Sequence, residues 1–390
     1  MTHMQADRNR HRLRVAIVSE RRADYSRFKP ILSLMRRDPF FDYRLFVTGI
    51  SLLKSHGEDI RTIRQDGFRI SGILPMYRKR APDTGAEMTR SYARILARLS
   101  DSFERVSPDL VLTGFDIGAN FAAAIVGAHM NIPVAHIQGG EVTGSIDESL
   151  RHATSKFAHI HFPATRLAAE RLRHMGEDPR FIFVVGCPSI DALIQAPKTS
   201  RMATLAPFGF NSRDPYVLVV QHPVTTEMDR SGQQIRNTLR AVASLKLQGI
   251  VLCPNNDAGF RAIVREVQNS RMKYIRSLSP EQYANVFRHT ACLVGNSSSG
   301  IHEAATFKIP VVNIGTRQQG RERPGNVIDV GYSNKEIRKG LEKALYDSSF
   351  RKVVSKVKNP YGDGRSAQRI IKILKRLDFS NIPIQKRFVD

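Results

Sequence analysis

Cysteine is scarce in this 390-residue chain, with three in all: Cys187, Cys253 and Cys292. They are too scattered for a disulfide framework or a Cys-x-x-Cys metal site. Each ends an apolar run, so burial as a small hydrophobe is expected for all three. Long apolar runs are missing too, since no stretch approaches the ~18 residues a membrane-spanning helix needs. The apolar segment behind the basic N-terminus, Val15 to Val18, is too short for a signal-peptide core, and a cytoplasmic protein is expected. His159 and His161 alternate along a strand with no third ligand at metal spacing, so no metal site is expected. Zinc-finger spacing, an aromatic RNA-recognition signature and a basic zipper are likewise absent. The net charge of +24 is spread from end to end, whereas a nucleic-acid binder concentrates charge and interleaves aromatics. Nucleic acid is therefore not an expected partner, and a nucleic-acid-binding reading rests on charge alone. A positive field of this kind favours acidic ligands in general.

The length exceeds what one hydrophobic core usually organises, which predicts two domains. Short apolar runs alternate with helix-length segments. In the first half the strands are expected at 14–18, 43–48, 110–112, 133–137, 160–162 and 183–185, with helices at 27–36, 90–106 and 120–129. After 196–200 the pattern restarts, with strands at 216–220, 249–253, 274–276, 291–294 and 310–314. This alternation predicts an α/β protein with parallel, doubly wound sheets. The expected division is a basic tail over 1–13, an N-terminal domain over 14–200 and a C-terminal domain over 201–365. An amphipathic helix and tail over 366–390 are expected to cross back onto the first domain.

In such sheets ligands meet the loops beyond the C-terminal ends of the strands. The most telling loop is Val294-Gly295-Asn296-Ser297-Ser298-Ser299-Gly300-Ile301-His302-Glu303. Here an apolar strand gives way to a hydroxyl-rich turn before a helix-compatible segment. Free N–H groups, the helix dipole and serine hydroxyls suit a phosphate or diphosphate, and Glu303 one turn on suits a ribose diol. A plain serine N-cap would read the same way. The loop from His136 to His152 offers Ser145 and Glu148 as a capping box. Asp147 could complement the helix dipole, with Arg151 as its surface partner. Yet Glu141, Asp147, Arg151 and His152 within a dozen residues are denser than capping requires. His222, between a strand and a proline, could cap the strand or reach an anion. Arg22 and Ser26 after the first strand are placed for phosphate.

These loops resemble the hydrolysing UDP-N-acetylglucosamine 2-epimerases of sialic acid and nonulosonic acid synthesis. The likeness runs from about Arg14 to Phe388. It rests on Arg-Ala-Asp-Tyr-Ser at 22–26, Gly-Gly-Glu-Val-x-Gly-x-Ile-Asp-x-Ser-x-Arg-His at 139–152 and Gln-His-Pro-Val-Thr-Thr at 221–226. Gly-Asn-Ser-Ser-x-Gly at 295–300, Gly-Thr-Arg-Gln-x-Gly-Arg-Glu at 315–322 and Tyr-Gly-Asp-Gly at 361–364 complete it. The resemblance implies two Rossmann-like domains in a GT-B arrangement with the active site between them. It implies Arg22, Ser26, His222, Asn255, Ser297, Ser298, Glu303, Arg317 and Arg321 around the nucleotide. Asp116, Glu141, Asp147, Arg151 and His222 would serve catalysis, and Gln138 and His152 would face the sugar. The implied reaction is anti elimination of UDP across C1–C2 to 2-acetamidoglucal, then hydration to free N-acetylmannosamine. It needs no cofactor, and a homodimer or homotetramer is implied.

The chain departs from the family in two places. It reads Gly114-Phe115-Asp116-Ile117 where Gly-Asp-Arg is usual, and Gln138 where a carboxylate often precedes Gly-Gly-Glu. UDP-N-acetylglucosamine is the leading substrate on this reading. The departures open two alternatives: the same reaction on a UDP- or GDP-linked 2,4-diacetamido-trideoxy sugar, or a GT-B glycosyltransferase or inactive nucleotide-sugar binder.

Overall fold

Runs such as Arg14-Val15-Ala16-Ile17-Val18 are apolar on both faces, which suits a strand covered by helices on both sides. The computed structural model, which describes residues 12–56, 59–78, 81–115 and 118–390, shows this pattern twice. The first sheet contains β1 (Leu13–Ser19), β2 (Phe41–Thr48), β3 (Ile70–Leu74), β4 (Leu110–Gly114), β5 (Val134–Ile137) and β6 (Ile160–Phe162). Its order is β3-β2-β1-β4-β5-β6, parallel throughout. The second contains β7 (Tyr216–Val220), β8 (Gln248–Leu252), β9 (Lys273–Ile275), β10 (Cys292–Gly295), β11 (Val311–Ile314) and β12 (Val327–Val330). Its order, β12-β11-β10-β7-β8-β9, repeats the first, again parallel. These are tandem Rossmann-like α/β domains of the kind found in GT-B enzymes.

The strands divide their side chains between two layers. Val15 and Ile17 of β1 join Phe28, Ile31 and Leu32 of the helix Arg22–Arg37, while Ala16 and Val18 join Leu99, Phe103 and Ala123 on the other face. Each valine, leucine, isoleucine or phenylalanine among them contributes roughly 1.5–3 kcal/mol on burial. The second sheet does the same, with Val217 and Val219 on one face and Tyr216 and Leu218 on the other. The helix Ser366–Leu374 sends Ala367, Ile370 and Leu374 into the cluster of the first helix. Asp191 caps it by accepting from the N–H groups of Ser366 (3.1 Å) and Ala367 (2.7 Å).

Sheet order reverses between β1 and β4 and between β7 and β10. The loops following these strands open at the two reversal points, where a crevice forms.

Several local expectations differ from the structure. Residues 183–185 form no sheet strand: Phe183 and Val185 donate to His161 O and Pro163 O, and an isolated bridge joins His161 with Ile182. The edge strands β3 and β12 were not expected from the sequence, because both are half-exposed and carry glycine, serine or aspartate among their apolar residues. The capping box does not form. Ser145 makes no side-chain cap and its hydroxyl is buried without a partner among the described residues, while Glu148 accepts from Thr143 N–H instead. The segment after the serine turn is only a four-residue helix, Ser299–His302, running into a 3₁₀ turn, Ala304–Phe307. So short a helix has little macrodipole, so the anion-attracting groups there are local N–H and hydroxyl donors.

Candidate active site

The loops at the two reversal points face each other across a cleft, the usual place for a small-ligand site between two α/β domains. All nine residues expected around a nucleotide line it: Arg22 and Ser26 from the first domain, and His222, Asn255, Ser297, Ser298, Glu303, Arg317 and Arg321 from the second. Arg21, Arg27, Cys253 and Tyr283 line it too. Cys253 is therefore half-buried at the cleft, not a core thiol; Cys187 and Cys292 are buried.

The serine turn is fixed by backbone constraints. Gly295 has φ +128°, and a Cβ there would stand 2.2 Å from Val220 O, so only glycine fits. Asn296 grips the backbone of His222 on the neighbouring loop: its Oδ1 accepts from His222 N–H (2.7 Å) and its Nδ2 donates to His222 O (2.8 Å). Ser299 N–H is held by Ser297 Oγ at 3.3 Å. Glu303 is 5% exposed, and its Oε2 has no partner among the described residues. A buried acceptor left unmatched at a cleft wall is set to take a donor from a ligand.

His222 presents a neutral imidazole. Its Nδ1 accepts from Asn255 N–H at 3.0 Å, which places the ring proton on Nε2. Burial, reinforced by Arg317, Arg21 and Arg22, holds its pKa well below the ordinary histidine value. At neutral pH it offers an uncharged N–H donor.

On the opposite wall, Asp24 accepts from Glu20 N–H (2.7 Å) and Arg21 N–H (2.9 Å), fixing the turn that presents Arg21 and Arg22. Arg22 reaches across to Ser277 Oγ (3.4 Å), and its guanidinium lies 5.7 Å from the Tyr283 ring centre. Arg27 is the notable addition that sequence reasoning missed. It is 7% exposed, its Nε has no partner among the described residues, and it stacks 4.7 Å over Phe115. The helix was expected to begin at 27; it begins at Arg22, which turns Arg27 inward one turn after Ala23.

The carboxylates expected in catalysis stand behind the arginines of the wall. Glu141 Oε2 lies 2.8 Å from His302 Nε2 and 3.2 Å from Arg321 Nη1, and its Oε1 accepts from Gln138 Nε2 at 3.1 Å. Burial alone raises its pKa, but His302 and Arg321 outweigh burial and hold it well below the usual carboxylate range. Asp147 pairs with Arg317 at 2.8 Å, across the domain junction. Arg151 is not a surface partner of Asp147. It is 1% exposed, and its Nη1 donates to Glu141 O at 2.8 Å. Neither carboxylate lines the cleft directly. Gln138 adopts the left-handed φ of +61° and accepts weakly from Cys187 Sγ. His152 does not line the cleft; its Nε2 is 4.0 Å from Glu148 on the same helix. Asp116 falls outside the described residues. Among the described residues no metal-ligating cluster and no helix long and apolar enough to cross a membrane is found.

A family model described as UDP-N-acetylglucosamine 2-epimerase matches residues 34–375. The chain belongs to this family, and it is an epimerase. It is 36% identical over 368 residues to the UDP-N,N'-diacetylbacillosamine 2-epimerase (hydrolyzing) of Legionella pneumophila, covering 93% of this chain and 96% of that protein. The UDP-N-acetylglucosamine 2-epimerase of Neisseria meningitidis serogroup B is 30% identical over 381 residues, with 97% and 99% covered. The crystal structure of a Neisseria meningitidis UDP-GlcNAc 2-epimerase bound to UDP-GlcNAc superposes with a TM-score of 0.77 at 18% identity, over 93% of this chain and 100% of that one. The last likeness is one of fold.

Proposed function

We propose that this epimerase is a hydrolysing one whose substrate is a UDP-linked 2,4-diacetamido-trideoxy hexose, as in UDP-N,N'-diacetylbacillosamine. The observation that carries the reading is the 36% identity to an enzyme named for that substrate, over nearly the whole of both chains. The departures at Phe115 and Gln138 support a sugar other than N-acetylglucosamine, so the alternative substrate takes precedence over the leading one. UDP-N-acetylglucosamine is the second reading, favoured by the 30% identity to the meningococcal enzyme.

Anti elimination removes the C2 proton and expels UDP from C1. Water then adds to C1 of the glycal while a proton returns to C2 on the other face, giving the free 2-epimeric sugar. Negative charge grows on the departing diphosphate, and fixed donors in a shielded site stabilise it most. Arg21, Arg22, Arg317, Arg321 and the His222 Nε2–H supply such donors around the cleft. Glu303 would take the ribose hydroxyls, and Asp116, Glu141 and Asp147 are the candidates for proton transfer.

The test is turnover on a panel of UDP-N,N'-diacetylbacillosamine, its GDP counterpart and UDP-N-acetylglucosamine, with products read by NMR. Release of UDP with the free 2-epimer, at kcat/KM at least tenfold above that for UDP-N-acetylglucosamine, is expected. The reverse ratio transfers the assignment to N-acetylglucosamine, and sugar transfer to an acceptor without hydrolysis replaces it with a glycosyltransferase.

A further inference from the structure

His302 and the segment 361–364 have no part in the reaction as described, yet they are built into one buried assembly at the domain junction. His302 is on the second domain, and its Nε2 lies 2.8 Å from Oε2 of Glu141 on the first. Tyr361 packs edge-on against the imidazole at 4.5 Å between ring centres. Asn359 Nδ2 donates to His302 O at 2.7 Å, fixing the backbone beneath the ring. Tyr361 is itself anchored: its hydroxyl donates to Glu322 O (3.0 Å), and its carbonyl accepts from Cys187 N–H (2.7 Å) of the first domain. Gly362, at φ +135°, passes so close to Gly186 that a Cβ would stand 3.3 Å from the Gly186 Cα. The segment thus clamps the ring against Glu141.

His302 Nε2 is where both charged partners meet: it lies 2.8 Å from Oε2 of Glu141 and 2.5 Å from Nη1 of Arg321, which is itself 3.2 Å from the same Oε2. His302 Nδ1 is buried with no partner among the described residues. Arg321 lines the cleft while Glu141 and His302 stand behind it.

We infer that His302 is a positioning residue for the reaction: its Nε2, in contact with both groups, fixes the Glu141 carboxylate across the domain junction and the Arg321 guanidinium on the cleft wall. The arginine that faces the departing diphosphate is then correctly set only when the two domains meet. This inference rests on the proposed reaction.

The test compares His302→Leu, His302→Gln, Glu141→Gln and the His302→Leu/Glu141→Gln double variant in the intact enzyme, with the best substrate of the panel. Loss of an interaction made in the transition state lowers kcat more than it raises KM. His302→Leu is expected to lower kcat by roughly 10–100-fold with KM changed by less than about threefold. His302→Gln, whose amide can donate to the same oxygen, is expected to retain kcat within about threefold. In the Glu141→Gln background the leucine substitution should add no more than about a twofold loss, because interacting residues are non-additive. Additive losses, equal impairment by leucine and glutamine, or a loss carried wholly by KM would each overturn the inference. If the leucine variant does not fold, the glutamine variant and the Glu141→Gln comparison still decide it: glutamine must keep the acid limb of the kcat profile where the wild type has it. Wild-type enzyme that releases UDP from no substrate overturns the reaction beneath it, a result distinct from active enzyme with indifferent His302 variants.

Discussion

At the scale of single residues, the cleft depends on protonation states set by backbone contacts. His222 accepts from Asn255 N–H through Nδ1 and is held neutral by burial and by three arginines. A second proton would set Nδ1–H against that N–H. Activity should therefore be indifferent to His222 between pH 6.5 and 8, with loss on the acid side only, as its lowered pKa is approached. A limb in the wild-type pH–rate profile near 6.5 that disappears in His222→Ala would contradict this. His222→Ala should itself lower kcat by roughly 10²–10³-fold, the usual cost of one donor to a developing oxyanion. Much of this chemistry was legible because hydroxyls, arginines and histidine cluster in loops that follow apolar strands. Arg27 was not, because its role depends on where a helix starts. The partner of Glu141 was not either, because His302 lies 161 residues away and on the other domain.

At the scale of elements, the buried strands and the edges β6 and β9 were legible in the sequence, and the edges β3 and β12 were not. β1, β4, β7 and β10 are covered on both faces and read as continuous apolar runs, whereas β3 and β12 are half-covered and interrupted by Gly72 and Asp329. Ser145 and Glu148 have the spacing of a capping box, which predicts a local cap at that pair alone. Tertiary contact overrides that spacing: Gly144 N–H donates to Arg317 O at 3.1 Å, and Asp147 turns toward Arg317. The loops meet so closely that a Cβ on Gly144 would stand 2.0 Å from Thr316 O. Backbone cannot yield as a flexible side chain can, so Gly144→Ala must separate the two loops. The expected outcome is a fall in kcat/KM of at least about tenfold, since ångström-scale misplacement costs on the order of 10²-fold. Gly85→Ala is the control: no atom lies within 4 Å of its Cβ and it opens the helix Gly85–Val106. Steady-state kinetics on the two variants decide the point.

At the scale of the whole molecule, two similar sheets are joined by polar contacts as well as by the crossing helix. Glu141 with His302 and Arg321, Asp147 with Arg317, and Arg22 with Ser277 all span the junction. So does His56, whose ring lies 5.6 Å from that of Phe260 and whose Nε2 is buried without a partner among the described residues. Burial pushes His56 down to about 4 from 6.5. The unfolded chain binds this proton below pH 6.5 and the folded chain only below about 4, so stability rises with pH across that window and is lost as pH falls through it. Asp24 has the opposite sign, since burial raises it to about 7 from 3.8 and the folded state holds the extra proton. The wild-type curve alone therefore mixes the two. The difference between wild type and His56→Gln isolates the histidine, and urea unfolding from pH 7.5 to 4 measures it. Relative to wild type, the variant should gain stability as pH falls from 6.5 to 4, by roughly 3 kcal/mol in all. A pH-independent difference would mean that the ring at this junction is solvated and that the two domains meet more loosely than the buried His56–Phe260 contact requires.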